Sequence, residues 1–231
     1  MNFGKPKVIL PAYWELKIMI IAIDGPSGSG KSTTARLLAQ NLNITHIDTG
    51  AMYRVITWGL KKNNIDFNDS SEVKIFLEKA DIFYKSANEI FLNGELASSK
   101  IRKKEITSSV SLVSALVEVR KFLVNFQRKI GKEMDCVIEG RDIGSVVFPD
   151  ADYKFFLTAD VEVRALRRQA ELRKIGEDLS FGEIKASIKE RDFIDSTRDI
   201  SPLIRSNDAI EIDSTDLTIN EQVRKIIEII K

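Results

Sequence analysis

Residues 25–32, Gly-Pro-Ser-Gly-Ser-Gly-Lys-Ser, match the pattern G-x-x-x-x-G-K-[ST] in full, a spacing that lets a backbone wrap around phosphate. Glycines allow successive N–H groups to converge on phosphate oxygens, and a helix N-terminus behind them adds partial positive charge. Lys31 would reach the β- and γ-phosphates of ATP. The Ser32 hydroxyl suits Mg²⁺, which neutralises charge on a transferred group. Gly25, Pro26, Ser27, Gly28, Ser29, Gly30, Lys31, Ser32 and Thr33 are therefore expected to form an ATP loop. A flexible glycine turn would share the composition. The order here is more demanding: the apolar run 18–23 precedes the loop and the helical pattern 33–42 follows it.

Three further clusters could supply an acceptor. In Asp48-Thr49-Gly50-Ala51-Met52-Tyr53-Arg54, Asp48 or Thr49 can cap a helix whose first turn presents Arg54. Strand C-terminal ends share one edge in an open α/β sheet, so Arg54 could meet a second anion there, or stand as a surface arginine. Glu139-Gly140-Arg141-Asp142-Ile143-Gly144 follows the apolar run 136–138. An acid ending that strand suits a metal-water network, although a turn with a local ion pair reads the same way. Arg191, Asp195 and Arg198, spaced by four and three, fall on one helical face; alone they would be a weak ion-pair ladder. Arg164, Arg167 and Arg168 suggest a mobile segment that closes on phosphates and excludes water, and a basic solvated helix face accounts for the spacing as well. Cys136 reads as a small buried hydrophobe. His46, inside a predicted strand, reads as structural.

Positioning these groups falls to an alternation of short apolar runs with helical patterns, which predicts a parallel sheet covered by helices. Strands are expected at 44–47, 136–139, 153–157 and 209–212. Between residues 66 and 107 the texture changes: Ile82-Phe83-Tyr84 and Ile90-Phe91-Leu92 flank polar segments, and Asn93-Gly94 signals a tight turn. A small β-containing insertion is expected there. Ser180 with Glu183 resembles a capping box, and 218–230 reads as a terminal amphipathic helix.

At 231 residues, 43% hydrophobic and 30% charged, the chain can bury a sizeable core as one domain with insertions. A net charge of +1 gives no overall field to recruit nucleic acid or anionic membrane, so neither is an expected partner. One cysteine and one histidine exclude an intrachain disulfide and argue against a Cys/His zinc site. A cytoplasmic location fits. Residues 1–17, MNFGKPKVILPAYWELK, lack the long apolar core and small-residue cleavage site of a signal peptide, and Pro11 breaks their apolar stretch. They are expected to be a dispensable extension, with residues 18–231 forming the P-loop domain.

Together the segments IDGPSGSGKST, DTGAMYR, IEGRDIGSVVFPDA, IKERDFIDSTRDISPL and the late IDST resemble the bacterial cytidylate kinases, in order and over almost everything from Ile20 onward. That resemblance implies a three-layer parallel-sheet core, a nucleoside-monophosphate lobe enlarged by a β-rich insertion at about 60–110, and a short helical lid at about 164–180. It implies transfer of the ATP γ-phosphoryl group to CMP or dCMP by a monomer, with Mg²⁺ accompanying ATP. By the same resemblance Lys31, Arg141 and Arg198 are catalytic, and Arg54, Arg141 and Arg198 grip the acceptor phosphate. Thr49, Ser111, Arg120 and Asp142 frame or read cytosine, and Arg191 and Asp195 contact the sugar and its surroundings.

Some details depart from relatives. Thr49 stands where Ser is common, which keeps the hydroxyl. The loop ends Lys31-Ser32-Thr33 where some relatives have Lys-Gly-Thr, so either Ser32 or Thr33 could face the metal. Residues before 18 have no counterpart in the resemblance. Kinases acting on UMP, dTMP or dephospho-coenzyme A would share the loop but not the full set of acceptor motifs. A nucleotide-dependent switch is disfavoured, since no N-K-x-D guanine-reading motif occurs.

Overall fold

A strand with no polar face must be covered on both sides, and β1 (Ile20–Asp24) is such a strand, with Ile21, Ala22 and Ile23 fully buried. The computed structural model describes residues 18–86, 89–174 and 176–230; the expected extension 1–17 lies outside them. Among the described residues β1 is the centre of a five-stranded sheet ordered β2-β6-β1-β7-β8, with β2 Thr45–Asp48, β6 Cys136–Glu139, β7 Tyr153–Thr158 and β8 Ile210–Asp213. Every neighbouring pair is parallel, with Ile21 opposite both Val137 and Tyr153 and with Asp48 opposite Glu139.

Alternation along the strands sorts the core. Ala22, Ile47, Cys136 and Ile138 join one apolar cluster with residues of α2 (Thr49–Lys62), α4 (Lys104–Ala115) and α5 (Val117–Gly131). Ile21, Ile23, Val137, Phe155, Leu157 and Ile212 join the other with α1 (Lys31–Leu42) and α8 (Ile219–Ile230). Three layers result. Burial pushes the Cys136 thiol up to about 12, as expected of an inert core residue.

Parallel strands joined by helical crossovers end on one edge. Asp24, Asp48, Glu139, Thr158 and Asp213 close the five strands there, so that edge is polar by sequence as well as by geometry.

Between α2 and α4 lies the inserted lobe, where α3 (Ser70–Glu78) is capped by Asp69, whose carboxylate accepts from the Ser71 and Glu72 N–H groups. A three-stranded antiparallel sheet follows: β3 (Ile82–Ser86), β4 (Glu89–Leu92) and β5 (Glu95–Leu96). Asn93 and Gly94, at φ 51° and 78°, form the β4–β5 turn. Helices α6 (Val161–Lys174) and α7 (Phe181–Thr197) pack as a pair around Ala165, Leu172, Ile184 and Ile188. The Ser180–Glu183 capping box is present at the start of α7. Helices α4 and α5 were not foreseen from the pattern, and Ile143–Val147 forms a π-helical turn. Among the described residues no helix is long and apolar enough to cross a membrane.

Candidate active site

The chain leaves β1 through Gly25 at φ 146°, where a Cβ would lie 2.1 Å from the Leu157 carbonyl oxygen. Only glycine passes so close to β7. Beyond it the loop turns into α1, and Lys31, 5% exposed, folds back so that Nζ donates to the Pro26 carbonyl at 2.6 Å. Ser29 Oγ lies 3.3 Å from the same nitrogen. Burial, with Arg141 nearby, pulls the Lys31 ammonium well below its ordinary range.

Ser32 Oγ donates to Glu139 Oε2 at 2.7 Å, and Thr49 Oγ1 donates to the Glu139 carbonyl at 2.6 Å. The DTGAMYR segment works as its residue types suggest: Asp48 caps α2 by accepting from the Ala51 N–H. Asp24 ties the two halves of the site together. Its carboxylate accepts from the backbone N–H groups of Ile143 (2.9 Å) and Gly144 (2.7 Å), just beyond Arg141 and Asp142. Burial outweighs those two hydrogen bonds and lifts the Asp24 carboxyl to about 6.

On the acceptor side two carboxylates organise the arginines. Asp195, on α7, accepts from Arg141 Nε at 2.9 Å, with Arg198 Nη1 at 3.4 Å and Arg191 Nε at 3.9 Å. Asp142 lies 2.7 Å from Arg120 Nη2 and 3.9 Å from Arg198 Nη2. Arg120 is held in turn by the Ser114 carbonyl (2.9 Å) and by the face of Tyr53, 5.2 Å from its ring centre. Proximity is not the same as satisfaction here. Asp142 Oδ2, Arg120 Nε and Nη2, Arg191 Nε and Arg198 Nη2 are buried without a hydrogen-bond partner among the described residues, the Arg120–Asp142 pair being close but misaligned. Burial, with Arg141 and Arg54 beside it, draws the Arg191 guanidinium down to about 9, still charged at neutral pH. Burial also lowers Arg54, a shift that Asp48 partly offsets.

Both sides open on one cavity of about 770 Å³. Ser27, Gly28, Gly30, Lys31, Ser32 and Thr33 line it from the loop, and Thr49, Arg54, Ser111, Arg120, Arg141, Asp142, Arg191, Asp195 and Arg198 from the acceptor side. Arg167 and Arg168 line it from α6, and Arg167 Nη2 donates to the Ser214 carbonyl at 2.6 Å. Gly25, Pro26 and Ser29 stand behind that surface. Arg164 is set apart from the other two arginines. It donates to the carbonyls of Ala159 (2.9 Å) and Ser27 (3.0 Å) and pairs with Asp192, whose other oxygen accepts from the Ser27 N–H at 3.2 Å. Sequence reasoning missed Asp192 and Tyr53, together with Arg102, Lys104 and Lys174 of the cavity wall. Only the cationic residue types on short polar segments hinted at those last three.

Among the described residues no group of three or more His, Cys, Asp or Glu side chains could hold a metal by itself. Mg²⁺ carried on nucleotide phosphates needs only one or two protein groups, and the Ser32 hydroxyl, 2.7 Å from the Glu139 carboxylate, is of the oxygen chemistry that would hold it.

A phosphate loop on the central strand, a lobe inserted after the second helix and a facing wall of arginines define a P-loop α/β protein with two polar walls around one cavity. The profile of the cytidylate kinase family matches residues 21–231. The chain is 47% identical to the cytidylate kinase of Clostridioides difficile over 209 residues, covering 90% of this chain and 96% of that protein. It is also 47% identical to a bifunctional pantoate ligase/cytidylate kinase of Prochlorococcus marinus subsp. pastoris over 231 residues, covering 98% of this chain and 45% of that protein. A solved structure of an uncharacterized protein from Eubacterium ventriosum shares the fold, with TM-score 0.51 and 16% identity, covering 92% of this chain and 98% of that one. The chain belongs to the cytidylate kinase family. It spans just under half the length of the bifunctional relatives, and the 98% match with them reaches into residues 1–17, which therefore do have a counterpart.

Proposed function

We propose that the chain transfers the γ-phosphoryl group of ATP to CMP, and to dCMP, giving ADP and CDP or dCDP. The observation that carries this reading is the convergence of Arg120, Asp142, Arg191 and Arg198 on the cavity wall opposite a phosphate loop, in ion pairs that leave several of their buried atoms without an aligned hydrogen bond. Buried polar groups without an aligned hydrogen bond are rare in folded chains, and a ligand with both anionic and polar edges would give these side chains groups to turn toward. Asp142 can accept from the exocyclic amine of cytosine, where uracil presents a carbonyl. Arg120, fixed against Tyr53 and Ser114, offers the complementary donors. Thr49 and Ser111 frame the base, while Arg191 and Asp195 reach the sugar.

Arg54, Arg141 and Arg198 hold the acceptor phosphate so that one of its oxygens attacks the γ-phosphorus in line. Lys31 and the loop amides hold the donor. Arg167 and Arg168 line the cavity from α6 and would turn from Ser214 and Glu171 to reach the transferring group, and Arg164 anchors that helix to the loop. Mg²⁺, held by Ser32 or Thr33, would neutralise charge on the phosphates. No phosphoenzyme is needed: the chain binds, orients and offsets charge.

A coupled ADP-release assay with Mg²⁺-ATP and CMP, dCMP, UMP, AMP, GMP and dTMP, with products identified by chromatography, tests the reading. The expected result is turnover dependent on CMP and dCMP, with UMP weaker. Equal turnover of all six, or none with folded protein that binds ATP, would overturn the cytidylate assignment.

A further inference from the structure

The one histidine of the chain has no part in the site as described so far, and its surroundings give it one. His46 lies on β2, an edge strand where a polar side chain can usually reach water. Its side chain is instead only 12% exposed, against 4% for that of Glu139 on the neighbouring strand. Nε2 stands 3.1 Å from Glu139 Oε1, while Glu139 Oε2 accepts from Ser32 at 2.7 Å. Each oxygen of this buried carboxylate thus has one hydrogen-bonding partner: the histidine on the side away from the loop, and the serine on the side toward it. A carboxylate only accepts, so the imidazole nitrogen facing it carries the proton. The Glu139 carboxylate also acts on Lys31, whose proton affinity it raises against the effect of burial.

We propose that His46 is a positioning residue for phosphoryl transfer, its Nε2–H pinning one oxygen of Glu139 so that the other stays aimed at Ser32 and at the metal-bearing end of the phosphate loop. The inference rests on the ATP reading of that loop. It assigns His46 no contact with substrate. Groups that orient a metal site from behind influence affinity by roughly 10- to 100-fold in other proteins, and a histidine held by a single bond belongs near the lower figure.

Two measurements on the full chain test it. The first uses the fact that one histidine gives one imidazole signal set in ¹H–¹⁵N spectra. The wild-type ring is expected to carry its proton on Nε2, with that N–H signal displaced in Glu139→Gln; an Nδ1-protonated ring, or an unmoved signal, overturns the proposal. The second is calorimetry of ATP binding with and without Mg²⁺. In His46→Ala the gain in ATP affinity conferred by Mg²⁺ is expected to fall roughly 10-fold, with metal-free binding changed by less than about twofold. His46→Gln, whose amide nitrogen can donate from about the same position, is expected to restore most of that gain. An undiminished gain in His46→Ala, or no restoration by His46→Gln, overturns the proposal. Failure of the wild type to bind ATP at all would instead strike the reading on which the proposal rests.

Discussion

The two walls of the cavity satisfy their polar groups to different degrees. On the donor wall Lys31, Ser32 and the Ser27 amide each have a partner within the chain: Pro26, Glu139 and Asp192. On the acceptor wall, guanidinium and carboxylate atoms of Arg120, Asp142, Arg191 and Arg198 are buried close together yet lack hydrogen-bond partners. A ligand at the first wall has to replace bonds, whereas a ligand at the second meets a network only partly bonded, with Arg141 held to Asp195 and Arg120 to Ser114 but other atoms of the same groups without an aligned bond. Selectivity should therefore reside at the acceptor wall, because an unsatisfied buried group discriminates between ligands that fill it and ligands that do not.

The comparison is tested most severely by Lys31→Ala. Turnover is expected to fall by about 100-fold or more, as when a charge-stabilising donor is removed from a reaction site, while CMP affinity changes little. Steady-state kinetics and CMP calorimetry check this; equal losses at both walls would erase the distinction.

Asp24 joins the walls, and its carboxyl is raised to about 6, chiefly by burial. A raised carboxyl contributes stability below its unfolded value near 4, and that contribution is lost as pH rises through about 6. The span is on the order of 3 kcal/mol at most. Denaturant unfolding between pH 4 and 7 should show this decline in the wild type and its absence in Asp24→Asn.

Asp142→Ala should reduce the preference for CMP over UMP by roughly 5- to 150-fold, equivalent to about 1–3 kcal/mol, and leave ATP affinity within about twofold. Relative kcat/KM values for the two acceptors report it. Ser180→Ala has the smallest expected effect. Loss of the α7 capping box should cost about 1 kcal/mol and lower Tm by roughly 2–4 °C, with kcat within about twofold. A larger fall in kcat would show that the start of α7 does more than carry Arg191 and Asp195.

Much of this arrangement was legible in the residues. The phosphate loop, the strands that flank it, the Asn93-Gly94 turn and the Ser180 capping box rest on local chemistry, and the structure places them within one or two residues of expectation. The first helix begins at Lys31 rather than 33, because the left-handed Gly30 ends the loop. Helices α4 and α5 had no such signal. Lys103 and Leu116 precede them without a side-chain cap, and their apolar faces, with Ile106, Val110 and Val113 then Val119, Leu123 and Val124, are recognisable chiefly once the sheet they cover is known. Ser111 and Arg120 therefore entered only through the family resemblance. The Ile143–Val147 turn has no signal of its own in the sequence. What fixes it is a carboxylate 119 and 120 residues earlier in the chain. Separations of 93 and 165 residues likewise concealed the contact of His46 with Glu139 and that of Asp192 with Ser27. Arginine clustering suggests a mobile lid, and the clustering alone does not tell that Arg164 bonds to the Ala159 and Ser27 carbonyls.

The internal bonds of the phosphate loop also bear on the end of a catalytic cycle. In the proposed reaction, Lys31 and the Ser27 amide would have the Pro26 carbonyl and the Asp192 carboxylate to return to as ADP departs, so neither of these donors is stranded. Dissociation becomes an exchange of partners, and the loop is returned ready for the next nucleotide.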